Sequence, residues 1–130
     1  MTDRHRGKAP SQRQLKVGET IRHALAEIFA RGEIVDEVLD QYSVTVSEVR
    51  MTPDLKLATA FVLPLGGEGA EDAVQHLDEH KRFLRGELAR RVSLKFMPEI
   101  RFKIDTSFAS SKRIDELLAS PKVARDLDAD

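Results

Sequence analysis

The stretch that decides the fold is Glu71-Asp72-Ala73-Val74-Gln75-His76-Leu77-Asp78-Glu79-His80-Lys81-Arg82-Phe83-Leu84-Arg85-Gly86-Glu87-Leu88-Ala89-Arg90-Arg91-Val92. Its apolar residues recur at helical spacing, and acid at its start suits a helix N-terminus. At 100° per residue, Val74, Leu77, Leu84, Leu88 and Val92 share one side of a helix. Lys81 falls in the middle of that side. One straight helix would aim an ammonium at the core, and burying an unpaired charge costs several kcal/mol. Either Lys81 snorkels along its own stem, or the helix breaks near His80–Arg82 and restarts at Phe83, leaving two short helices joined at a basic corner.

Ahead of this segment, Gly66-Gly67-Glu68-Gly69 reads as a loop and lacks the Lys-Ser/Thr of a phosphate-cradling P-loop. Leu57, Thr59, Phe61 and Leu63 alternate with Ala58, Ala60 and Val62, a strand with two apolar or small faces. Tyr42, Val44 and Val46 alternate with polar residues. Val49 and Met51 fall out of that register, which predicts a bulge near Ser47. Thr52-Pro53-Asp54-Leu55 is turn chemistry, so the two runs should form an antiparallel hairpin. Earlier still, Ser11 and Gln14 make a capping-box pattern in front of Val17, Ile21, Ala24, Leu25 and Ile28. That helix should stop at Gly32, with Ile34, Val35, Val38 and Leu39 forming a further turn. After the interrupted helix, residues 93–105 read as a third strand, with Pro98 placing it at an edge or breaking it. Phe61, Phe96 and Phe102 are expected in the core. Ile114, Leu117 and Leu118 suggest a terminal turn of helix.

With the break, the order is helix, strand, strand, helix, helix, strand. This is the type II KH order: an α+β, KH-like domain over residues 11–120, with a small three-stranded sheet and helices on one face. Residues 1–10 read as a flexible basic arm and 121–130 as an acidic tail. KH domains clamp a nucleic-acid backbone with a GXXG loop between the paired helices, and no GXXG occurs at this corner.

The 130-residue chain is 41% hydrophobic and 33% charged, which suits one globular domain. It contains no cysteine, which excludes disulfides and thiolate metal sites. No run approaches the roughly 20 apolar residues of a membrane span, and the N-terminus has no apolar signal region. A cytoplasmic protein is expected. The net charge is only −1, but its distribution is uneven. Arg4, Arg6, Lys8, Arg13, Lys16 and Arg22 form one basic group. Lys81, Arg82, Arg85, Arg90, Arg91 and Lys95 form a second. For binding a polyanion, local asymmetry outweighs the total.

Five stretches then take on a family likeness. They are Val17-Gly18-Glu19-Thr20-Ile21-Arg22, Thr52-Pro53-Asp54-Leu55-Lys56-Leu57-Ala58, Phe83-Leu84-Arg85-Gly86-Glu87-Leu88, Pro98-Glu99-Ile100-Arg101-Phe102 and Asp105-Thr106-Ser107-Phe108. In this order, over roughly residues 10–120, the chain resembles the ribosome-binding factor A family. The resemblance implies a type II KH-like fold in which a kink between two helices replaces the GXXG. That kink often carries Ala-x-Gly, and the aligned positions here are His80, Lys81 and Arg82. It further implies a factor without enzymatic activity. Such a factor binds the small (30S) ribosomal subunit and its rRNA, supports late assembly and 5′-end maturation of 16S rRNA, and matters most in the cold.

Lys81, Arg82 and Arg85 are the first candidates for phosphate contacts, then Arg90, Arg91 and Lys95, then Arg13, Lys16 and Arg22. With one Tyr and no Trp, base stacking has little support from the sequence, so contact should run through phosphates and be salt-dependent. A monomer with no cofactor, metal, membrane or small-molecule substrate is expected. The alternative is a protein-interaction module docking through its charged helices without RNA contact. His76-Leu77-Asp78-Glu79-His80 also matches the H-x-x-E-H zinc-protease pattern. A third ligand and a cleft are missing from that reading, and charged helix faces produce such matches by chance.

Overall fold

The computed structural model describes residues 9–107; the N-terminal arm to residue 8, the Ile114–Leu118 turn and the acidic tail lie outside them. Helix α1 spans Gln12–Ala30 and α2 spans Glu37–Asp40. Strand β1 (Val44–Met51) turns into β2 (Leu57–Pro64). Helices α3 (Ala70–Glu79) and α4 (Lys81–Arg91) follow, then β3 (Glu99–Ile104).

Helix α1 starts where the capping box predicts. The Gln14 amide donates to Ser11 Oγ at 3.1 Å, and the Ser11 amide donates to Gln14 Oε1 at 2.9 Å. Two of the four orphan N-terminal donors are thus satisfied reciprocally. Gly18, Ile21, Leu25 and Ile28 face inward. Gly18 is required by close approach, because a Cβ there would lie 2.5 Å from the Val49 carbonyl oxygen of β1.

The sheet order is β1-β2-β3, with β1 antiparallel and β3 parallel to β2. The register shifts between Val46 and Glu48, the bulge expected at Ser47. It returns Val49 and Met51 to the core side after Val46, so all three stay buried. In the hairpin turn the Leu55 amide donates to the Thr52 carbonyl at 2.8 Å. Leu55 has φ 62°, the one non-glycine residue with positive φ among those described. A branched side chain rarely adopts that conformation.

Val46, Val49, Met51, Ala58, Ala60, Val62, Ile100 and Phe102 make the buried face of the sheet, against Ile21, Leu25, Ile28, Leu77, Leu84 and Leu88 from the helices. Helices on one face of a three-stranded sheet in this order are the KH-like arrangement expected from the sequence.

Three sequence expectations need correction. Phe61 is on the opposite face of the sheet, half-buried, with the Arg50 guanidinium 5.2 Å from its ring centroid. Both faces of β2 are apolar, and the small residues Ala58 and Ala60 take the inner one, where the helices pack closely. Phe96 is 78% exposed. The third strand begins only at Glu99, because Pro98 has no N–H to give a ladder and Arg85 takes up the carbonyls of Met97 and Pro98.

Candidate nucleic-acid interface

The helix breaks at His80, which ends α3 and starts α4 with φ −99° and ψ 11°. Its amide donates to the Leu77 carbonyl at 3.0 Å, and its carbonyl accepts from Leu84 at 2.9 Å. The break leaves Leu77, Leu84 and Leu88 buried and takes Lys81 out of their stripe. Lys81 is 47% exposed and pairs with Asp78 at 2.8 Å. A corner replaces snorkelling, and the Lys81 ammonium stays out of the core.

The corner is held from outside its own helices. Asp36 Oδ1 caps α2 by accepting from the amides of Val38 (2.9 Å) and Leu39 (3.1 Å). Its Oδ2 meets both His76 Nδ1 and His80 Nε2, each at 2.9 Å. The hydrogen bond from His76, helped by those amides and His80, holds the Asp36 carboxyl well below the usual carboxylate range against the opposing effect of desolvation. The same contact raises the His76 pKa, with Glu79 and Asp72 adding attraction. The two histidines of the H-x-x-E-H match do share a face, but they converge on a carboxylate. Among the described residues no cluster of three His, Cys, Asp or Glu side chains is placed to hold a metal ion.

The predicted cations divide by what surrounds them. Arg82 is exposed at the corner with no ion-pair partner among the described residues, and the same holds for Lys95, Arg13 and Lys16. Arg90 is 79% exposed and 3.3 Å from Glu87. Arg85 is structural as well as charged: it donates to the Met97 carbonyl at 2.9 Å and pairs with Glu99 at 3.2 Å. Arg22 forks onto Glu19 at 2.7 and 2.9 Å. Arg91 is only 20% exposed and clamps Glu27, Glu33 and Glu87. Three carboxylates around one guanidinium leave little for a phosphate. Lys81, Arg82 and Arg85 thus share one side at the start of α4, with Arg90 more than two turns on and across the helix, while Arg91 and Arg22 turn to acids of their own surroundings. Sequence reasoning did not single out Asp36. The available signal was its position as a helix cap before Glu37 and Val38.

The profile of the family described as ribosome-binding factor A matches residues 13–118. The chain belongs to the ribosome-binding factor A family. The ribosome-binding factor A of Rhodopseudomonas palustris (strain BisB5) is 56% identical over 124 residues, covering 95% of this chain and 91% of that one. That of Beijerinckia indica is 56% identical over 123 residues, covering 95% and 87%. The crystal structure of ribosome-binding factor A from Thermus thermophilus superposes with a TM-score of 0.57 at 27% identity, covering 70% of this chain and 94% of that one. A Thermus thermophilus ribosome-binding factor A model fitted into a cryo-electron-microscopy map of a 30S complex superposes with a TM-score of 0.54 at 27% identity, covering 67% and 89%. No described helix is long and apolar enough to cross a membrane.

Proposed function

We propose that this chain is a cytoplasmic, monomeric assembly factor without catalytic activity. It binds the small ribosomal subunit through rRNA phosphates and supports late maturation, including that of the 5′ end of 16S rRNA, with its loss felt most in the cold. The observation that carries the reading is family membership together with a relative seen in a 30S complex. The charge layout supports it. Lys81, Arg82 and Arg90 stand exposed at one corner and helix, and a surface pair such as Lys81–Asp78 contributes only about 0–1 kcal/mol, so a phosphate can replace the carboxylate.

Co-sedimentation tests the reading. The protein should travel with free small subunits far more than with assembled ribosomes, and equal occupancy of both, or of neither, overturns it. Steep weakening with added salt is expected for phosphate contact. Affinity indifferent to salt favours docking on a protein through the charged helices.

A further inference from the structure

A cleft of about 310 Å³ opens at the end of the sheet where β2 and β3 begin. Helix α1, the β1–β2 turn and the segment between α4 and β3 form its walls. Val17, Leu55, Leu94 and Met97 make it apolar, and Arg13, Lys56 and Lys95 stand around it. We infer that this cleft takes one unpaired nucleotide of a single-stranded RNA, its base against Phe96 and its flanking phosphates on Arg13, Lys56 and Lys95.

Five observations carry this. The volume is at the small end of ligand pockets, which span roughly 300–1,000 Å³. Phe96 beside it is 78% exposed, so packing does not explain it. An aromatic face in water next to cations is what single-strand binding uses, because every base has a π-face to stack. Lys95 Nζ lies 5.6 Å from the Phe96 ring centroid, so a base on that ring brings its phosphate near an ammonium. The charge balance also favours an anion. The two acids at the cleft are already engaged: Asp54 accepts from the Thr52 hydroxyl at 2.7 Å and the Lys56 amide at 3.0 Å, and Glu99 pairs with Arg85. Arg13 and Lys95 have no ion-pair partner among the described residues, and Lys56 has only the longer-range attraction of Asp54. Finally, Arg85 holds the carbonyls of Met97 and Pro98, joining the cleft's wall to the basic corner. A strand following the corner's phosphates would run on to this cleft.

The choice of RNA rests on the function proposed above; the site itself does not. The test uses the full chain, a mixed-sequence single-stranded RNA octamer and a blunt RNA duplex of matched length, read by fluorescence anisotropy. Phe96→Ala should weaken octamer binding roughly tenfold, the scale of one lost base–aromatic stack, and leave duplex binding and the melting curve unchanged. Phe96→Tyr should restore the affinity. Lys95→Ala and Lys56→Ala should each flatten the octamer's log–log salt slope by about 0.7. Equal octamer affinity for Phe96→Ala and wild type overturns the inference, as does an equal loss on the duplex. So does an unchanged octamer affinity accompanied by lost co-sedimentation, which assigns the cleft to a ribosomal protein. Failure of the corner reading appears separately, as wild-type co-sedimentation of the Lys81→Ala and Arg82→Ala variants.

Discussion

His80 Nε2 lies 2.9 Å from Oδ2 of Asp36, 44 residues earlier in the chain, so the break between α3 and α4 is tied to the cap of α2. His76 shares that oxygen, and the clamp is therefore sensitive to pH. The raised pKa of His76 means its contribution is full below the ordinary value of 6.5 and is lost as pH climbs through the raised value. The lowered pKa of Asp36 means its contribution is full above 3.8 and is lost as pH falls toward the lowered value. The clamp is strongest between those limits, with Asp72 and Glu79 adding to the field on His76. Thermal unfolding at about pH 6 and about pH 8.5 reads this. Wild type should lose more stability across that interval than His76→Gln, and parallel losses would show that His76 carries no linkage.

Two helical glycines should respond to alanine with opposite sign. Ala is favoured over Gly in a helix by about 1 kcal/mol. At Gly86, where a Cβ meets nothing within 4 Å, Gly86→Ala should stabilise by roughly 0.5–1 kcal/mol. At Gly18 the Cβ would press on the Val49 carbonyl, and neither backbone can yield cheaply. Overpacking of this kind costs about 1–3 kcal/mol, which outweighs propensity. Chemical denaturation of both variants decides it; stabilisation by Gly18→Ala would mean that α1 packs on β1 less closely than described.

Phe102 and Phe96 should separate just as sharply. Phe102 is 5% exposed in β3, so Phe102→Ala should cost roughly 3–5 kcal/mol. Phe96→Ala should leave stability nearly unchanged. A loss below about 1 kcal/mol at Phe102 would misplace the third strand.

Those two residues also mark where sequence reading succeeds, at Phe102, and where it fails, at Phe96. Ile100, Phe102 and Ile104 alternate on one strand, and period-2 patterning is legible wherever one face alone is apolar. The bulge was legible for the same reason, since Val44 and Val46 disagree in phase with Val49 and Met51. The kink was legible because Lys81 contradicts its own stripe. Phe61 was not, because both faces of β2 are apolar and only the packing of helices on Ala58 and Ala60 decides which is inside. Leu94 and Phe96 continue the alternation without hydrogen-bonding partners, which no periodicity reveals. The charge clusters were visible, but their partners were not: Glu27 and Glu33 reach Arg91 across 64 and 58 residues.

That difference between cations gives the last prediction. Each phosphate contact on duplex nucleic acid contributes about 0.9 to the slope of log affinity against log salt. Lys81→Ala and Arg82→Ala should therefore each weaken binding to small-subunit rRNA and flatten the slope by roughly one unit. The loss should be similar across RNA sequences, because phosphates carry no base identity. Neither change should unfold the protein, since both side chains are exposed and the Asp78 pair is a surface one. Arg91→Ala should do the reverse. It leaves Glu27, Glu33 and Glu87 facing one another without their shared cation, so the melting temperature should fall while the salt slope holds. Arg85→Ala should show both effects, because the same guanidinium anchors the Met97 and Pro98 carbonyls. Salt titration and thermal melting on the same four variants separate the roles. If Arg91→Ala flattens the slope as much as Lys81→Ala, the division between exposed and clamped cations fails. If Lys81→Ala and Arg82→Ala leave both affinity and slope untouched, the corner is not where this factor meets RNA.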